Sequence, residues 1–70
     1  MAKAVEVIVI YQTNKMAVQC VADDGSIVNV GNEFGATIRV KPNAHVVAEL
    51  EAIAERWAFT LGVPLIRHRW

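Results

Sequence analysis

NAHVVAELEAIAERWAFTL, residues 43–61, is the longest segment of this sequence with a single regular periodicity. Its apolar residues recur at steps of three and four, which places them on one stripe of an α-helix. Asn43 is a natural N-cap, and Gly62 followed by Pro64 is typical of a helix end. The pattern predicts an amphipathic helix over 43–61 that packs on an apolar surface through Val46, Leu50, Ile53, Trp57 and Leu61.

The segments on either side of this helix have the composition of β-strands. They are rich in β-branched residues and are separated by turn-forming residues such as the Asp24–Gly25 pair. We predict strands over 4–12, 16–22, 27–30, 36–41 and 64–69. The sequence therefore predicts one α+β domain over residues 1–70, with an antiparallel-rich sheet of four to five strands packed on one helix in the order β-β-β-β-α-β.

The fourth predicted strand follows a turn over residues 31–35. Gly35 suits a backbone conformation with positive φ at the end of that turn. After it, apolar and polar residues alternate along the strand. This alternation predicts that Ala36, Ile38 and Val40 point inward to the core, whereas Thr37, Arg39 and Lys41 point outward.

Composition limits the class of protein. The 70 residues include seven basic and seven acidic ones, so no global field directs the chain toward nucleic acid or an anionic membrane. Cys20 is the single cysteine, which excludes a disulfide framework within the chain. No segment is long enough to span a bilayer, and Glu6 interrupts the apolar start that a signal peptide would need. We expect a cytoplasmic protein that does not enter the membrane.

The chain has more apolar residues than a small core can bury. The hydrophobic fraction is 54% and the mean hydropathy is +0.32. One helix covers one face of a sheet, so either register of the first strand leaves large side chains on the other face. Unless the C-terminal segment or a strong curl of the sheet covers them, that face is shared with another chain. The candidate interface residues are Ile8, Ile10, Val21, Ile27, Phe34 and Phe59.

Few residues suggest chemistry. Cys20 lies among apolar residues of a predicted strand, and we interpret it as a buried, unreactive thiol. His45 and Glu49 are one helical turn apart, which suits a metal but is also typical of solvated side chains at a helix start. We predict no catalytic residue, no metal site, no cofactor and no small-molecule substrate. The main hypothesis is a non-enzymatic protein-interaction module, a homodimer that acts by binding a larger protein.

A nucleic-acid-binding module is the alternative hypothesis. Arginines beside a stacking aromatic ring are residues that contact phosphates and bases. Such residues occur at the C-terminus and on the strand that enters the helix. The candidate nucleic-acid contacts are Arg39, Lys41, Arg67, Arg69 and Trp70.

Residues 36–57, ATIRVKPNAHVVAELEAIAERW, are similar to the strand and first helix of the ribbon–helix–helix DNA-binding family. The resemblance implies strands that pair in a dimer. The second helix of that family has no counterpart, because Gly62 and Pro64 break the segment, and three further predicted strands precede the similar region. We therefore transfer no DNA-binding function from the resemblance.

Overall fold

The computed structural model describes residues 3–69, which form one mixed sheet and one helix. Strands β1 and β2 are antiparallel, β2 and β3 are antiparallel, and β4 lies parallel to β1. The order across the sheet is β3-β2-β1-β4. The predicted α+β fold is confirmed, with four strands in the sheet. The elements are β1 (Ala4–Gln12), β2 (Lys15–Ala22), β3 (Ala36–Val40), α1 (Ala44–Leu61) and β4 (Leu65–Arg69).

Helix α1 connects the two edge strands and packs on the sheet between them. Both predicted caps are confirmed. The Asn43 side chain accepts a hydrogen bond from the Val46 N–H at 2.8 Å, and Gly62 ends the helix with φ at 66°. The predicted stripe is the packed side, since Leu50 and Trp57 are buried together with Ala54. Within residues 3–69, no helix combines the length and the apolar character needed to cross a membrane.

The core lies between α1 and one face of the two central strands. Cross-strand partners supply its sheet side, since Val7 lies opposite Cys20 and Val9 lies opposite Val18. These four side chains are fully buried. Regular alternation along β1 would bury Val5 on the same face as Val7 and Val9, but Val5 is 40% exposed. The register shifts between Ala4 and Glu6, which makes Val5 the extra residue of a β-bulge and leaves it exposed.

The strand predicted over 27–30 does not form. Its first half extends the hairpin on β2, because the Ala22 N–H donates to the Ser26 carbonyl and the Val28 N–H donates to the Cys20 carbonyl. The chain then leaves β2, and the Cys20 N–H donates instead to the Gly35 carbonyl at 2.7 Å. Two segments thus share one edge of β2, which explains why only the isolated bridges Val21–Ile27 and Val30–Glu33 occur in this region.

Gly35 is required for a different reason from the predicted one. Its φ is not positive, unlike that of Gly31 in the preceding turn. A Cβ atom at Gly35 would instead lie 1.7 Å from the carbonyl oxygen of Val28. Glycine is needed here because the segment that leaves β2 and the strand that replaces it touch through their backbones.

The inward orientation predicted for Ala36, Ile38 and Val40 is also wrong. Ile38 is 56% exposed and Val40 is 68% exposed. The partner of Ile38 on β2 is Ala17. The buried Met16 and Val18 are paired instead with Arg39 and Thr37, which the sequence predicts to point outward. Directly paired residues share a face, so the apolar residues of β3 point away from the helix.

Candidate interaction surface

The sheet face opposite α1 is predominantly apolar and is called the open face below. The one helix within residues 3–69 lies on the other side of the sheet. Cross-strand pairing assigns its members without ambiguity, because paired residues point to the same side. The open face consists of Glu6, Ile8, Ile10, Gln12, Lys15, Ala17, Gln19, Val21, Ile27, Ala36, Ile38, Val40, Ile66 and His68.

Exposure on the open face increases toward β3. Ile8, Ile10 and Val21 are half-buried by neighbouring side chains of the central strands. Ile38 and Val40 lie on the edge strand, where a neighbour is missing on one side, and most of each side chain is accessible. The β3 edge therefore presents the most protruding aliphatic groups of the face.

Short side chains create a hollow beside these protruding groups. Ala17 and Ala36 occupy adjacent strands, and their small size leaves a depression of about 270 Å³ between larger neighbours. A second depression of about 150 Å³ adjoins it around Ala17 and is lined in part by Lys15. A protruding side chain beside a hollow allows two copies of such a surface to interlock when they pack face to face. The larger hollow is lined by Ala17, Gln19, Phe34, Ala36, Thr37 and Ile38.

The structure places five of the six predicted interface residues around this face. Ile8, Ile10 and Val21 point from it, and Ile27 is bridged to Val21. Phe34 is 67% exposed and lines the hollow. The sixth residue is separate from this group. Phe59 is 90% exposed and lies on α1, on the opposite side of the molecule.

Sequence reasoning missed part of the surface. Alternation along β3 predicts that Ala36, Ile38 and Val40 point inward, and the candidate interface residues do not include Ile66. Alternation along a strand separates two sets of residues but does not say which set meets the core. For β3, that choice depends on its pairing with β2, and no short-range pattern in the sequence records it.

The loop that carries Phe34 is fastened to the helix by Glu33. The Glu33 carboxylate accepts one hydrogen bond from Arg56 Nη2 and another from Trp57 Nε1, each at 2.9 Å. The pKa of Glu33 lies below its usual range near 4.5. The hydrogen bond from Arg56 is the main cause, and the hydrogen bond from Trp57 is the second. Glu33 is therefore the anchor that fixes the position of Phe34 beside the hollow.

We expect Glu33→Gln to lower stability at neutral pH and to have little effect in acid. A depressed pKa in the folded state means that the ionised carboxylate stabilises the fold above the unfolded-state pKa, and that this contribution is lost as pH falls through the folded-state pKa. Urea denaturation of both proteins at about pH 7 and about pH 3 measures the difference. A gap of equal size at the two pH values would contradict the assignment.

Cys20 is buried, as predicted. It lies opposite Val7 in the core, and burial raises the pKa of its thiol. A thiol with a raised pKa is a poor nucleophile at neutral pH. Within residues 3–69, no three histidine, cysteine or acidic side chains lie together in a way that would hold a metal ion.

The residues proposed for nucleic-acid contact are divided between the two edges of the sheet. Arg39 and Lys41 belong to the β3 edge, whereas Arg67 and Arg69 belong to β4, with two strands between them. Trp70 lies outside the described residues. The structure therefore does not bring the four described side chains into one patch.

The two β4 arginines also have partners within the chain. Arg67 donates to both carboxylate oxygens of Glu51, at 3.2 and 2.9 Å, and Tyr11 donates its hydroxyl to the same carboxylate. Arg69 lies over the Tyr11 ring with 4.8 Å between its Cζ and the ring centroid. These contacts join β1, α1 and β4, so their immediate role is to hold the β4 edge.

Comparison of the chain with protein-family models, curated proteins and solved structures gives no match.

Proposed function

We propose that this chain is a non-catalytic protein-interaction module that forms a homodimer through its open face. The observation that carries the proposal is the group of protruding aliphatic side chains on that face, which lies beside a hollow lined mainly by apolar residues. Removal of apolar surface from water contributes roughly 25 cal/mol of stabilisation for each Å² buried. Contact with a second apolar surface is therefore more favourable for this face than contact with water.

The distribution of charge on the open face supports a protein partner. Its one acidic residue, Glu6, and its one lysine, Lys15, lie at opposite ends of the face. The centre is occupied by isoleucine and alanine, with Gln19 as a polar exception. Charge at the rim and aliphatic groups in the centre are characteristic of homodimer interfaces.

The size of the molecule also suits this role. A standard interface buries about 800 Å² of each partner, which is about a sixth of the 4698 Å² of accessible surface of this chain. The two longest dimensions of the molecule are 35 and 20 Å, so one broad face has an area of that order. The larger protein partner expected from the sequence stays a prediction, and Phe59, exposed on the other side of the molecule, remains accessible in this dimer.

We expect Ile38→Lys to convert a dimer into a folded monomer. Ile38 is 56% exposed in the single chain, so a lysine there is solvated when the chain is alone, but it would be buried between two sheets in the dimer. Size exclusion with light scattering at about 100 μM gives the mass, and circular dichroism gives the fold. The wild-type chain should have twice the monomer mass of 7.7 kDa, and the variant should have 7.7 kDa.

Phe59→Lys is the matched control, because it makes the same kind of change on the opposite side of the molecule. We expect this variant to remain dimeric. A wild-type chain that is monomeric at this concentration overturns the proposal. A dimer that Phe59→Lys dissociates and Ile38→Lys does not would place the interface on the helix and equally overturn it. Nucleic acid that co-purifies with the wild-type monomer, visible as excess absorbance near 260 nm, would favour the alternative hypothesis.

A further inference from the structure

We propose that the second copy stacks on the open face with its strands antiparallel to those of the first. The two-fold axis would lie between the two sheets and run across the strands. This inference rests on the proposed homodimer and adds its geometry. Sheets that pack face to face lie about 10 Å apart, with strand directions within about 30° of each other. Two symmetric arrangements satisfy this condition, with the axis either across the strands or along them.

The open face is made of four rows of side chains that cross the sheet. A rotation about an axis across the strands exchanges the first row with the fourth and the second with the third, and each strand faces its own copy. Each row is given from the β3 side toward the β4 side. From the first row to the fourth, the rows are Ile27, Val21 and Glu6; Ala36, Gln19, Ile8 and Ile66; Ile38, Ala17, Ile10 and His68; and Val40, Lys15 and Gln12.

This exchange brings three pairs of apolar side chains together, although it also sets Lys15, Gln19 and His68 against aliphatic groups. The partner's Ile38, one of the most exposed groups on the face, falls on Ala36, where the hollow of about 270 Å³ lies. A large side chain thus meets a small one, which is the relation that close packing needs. The apolar pairs brought together across the axis are Ala36 with Ile38, Ile8 with Ile10, and Ile27 with Val40.

An axis along the strands gives a poorer match. It would exchange β3 with β4 and β2 with β1, so that Ile38 meets the partner's His68 and Gln19 meets the partner's Ile8. The number of polar side chains set against aliphatic ones is the same about either axis. The axis along the strands brings together only two apolar pairs, Ala36 with Ile66 and Ala17 with Ile10, against three for the axis across the strands, so apolar contact favours the axis across the strands.

The two charges of the open face favour the same arrangement. Lys15 and Glu6 lie at opposite ends of the face, about 20 Å apart along the strands. The ion pairs within residues 3–69 join other side chains and include neither of them. Antiparallel stacking puts Lys15 in the row that faces the partner's Glu6, one strand to the side, and the symmetry makes this contact twice. Stacking about the other axis would bring each charge to the same end as its own copy.

Charge reversal tests this geometry. In the antiparallel dimer, Lys15→Glu and Glu6→Lys each replace two attractive contacts by two repulsive ones, and we expect each to weaken dimerisation about tenfold at low salt. The double variant with both reversals in one chain restores opposite charges and should dimerise as the wild type does. The losses should diminish at about 1 M salt, where the Debye length is only about 3 Å.

A neutral control separates the contact from the effect of net charge. Lys15→Glu combined with Glu49→Lys has the net charge of the wild type, but its added lysine is on the exposed side of α1 and away from the open face. We expect this variant to stay as weak as Lys15→Glu alone. Thermal unfolding of each variant verifies that the monomer fold is retained.

The outcomes distinguish this inference from the proposed homodimer. Weakening by both single reversals, with recovery only in the Lys15→Glu, Glu6→Lys double variant, supports antiparallel stacking. If Ile38→Lys dissociates the dimer but the reversals leave its dissociation constant unchanged, the antiparallel geometry is wrong and the homodimer stands. A monomeric wild-type chain overturns the homodimer itself.

Discussion

Gly35→Ala should unfold most of the protein under conditions in which the wild-type chain is stable. The new methyl carbon would lie 1.7 Å from the Val28 carbonyl oxygen and 2.7 Å from its carbonyl carbon. Both are backbone atoms, so the strain cannot be relieved by turning a side chain. The two segments must separate, which breaks their hydrogen bonds to Cys20.

The expected cost is more than about 4 kcal/mol, a value that belongs to the severe tail of single substitutions. A small domain has a total stability of about 5 kcal/mol, so little of the folded state would remain. Circular dichroism and urea denaturation measure the loss. Gly31→Ala is the matched control, because its φ of 60° disfavours alanine but nothing lies within 4 Å of the added carbon. We expect about 1–2 kcal/mol for the control, and equal losses for the two variants would refute the backbone contact.

Leu50→Ala should destabilise the fold by about 2–5 kcal/mol, as large-to-small changes in close-packed cores do. Leu50 is 1% exposed at the centre of the helix stripe and packs in the cluster with Val7, Val9 and Trp57. Removal of most of its side chain leaves a cavity that the surrounding strands cannot fill without losing their own pairing.

Phe59→Ala on the same helix provides the comparison for Leu50. Phe59 is 90% exposed, so its loss should change the free energy of unfolding by less than about 0.5 kcal/mol, although more carbon is removed. Urea titrations of both variants, followed by circular dichroism, test the contrast. Similar midpoints for Leu50→Ala and Phe59→Ala would show that the stripe is not the packed side of α1.

Local signals explain which parts of the fold the sequence predicts correctly. Helix α1 is defined by the Asn43 cap, the Gly62 cap and the stripe between them, all of which lie within one segment. The hairpin turn at Asp24–Gly25 is equally local, and Gly25 has the positive φ that such a turn needs. These features require no knowledge of distant parts of the chain.

The errors have a common cause in non-local pairing. Which side of β3 meets the core depends on its register with β2, and the need for glycine at position 35 depends on where Val28 leaves that strand. Neither relation leaves a periodic signal in the sequence. The open face was predicted in part for the same reason. Surplus apolar residues identified Ile8 and Ile10, but the contribution of Ile38 became visible only with the strand order.

The parallel pairing of β4 with β1 has a consequence for the folding of the chain. β1 acquires its second neighbour from a segment that begins only at Leu65, after the hairpin, β3 and the helix have been traversed. Contacts so distant in sequence raise the contact order and slow the approach to the native state, because the entropy of closing the long loop is lost before the pairing compensates for it. Until β4 docks, one edge of β1 has unpaired N–H and C=O groups that can pair with a strand of another chain. Newly made molecules are therefore most prone to aggregate during this interval.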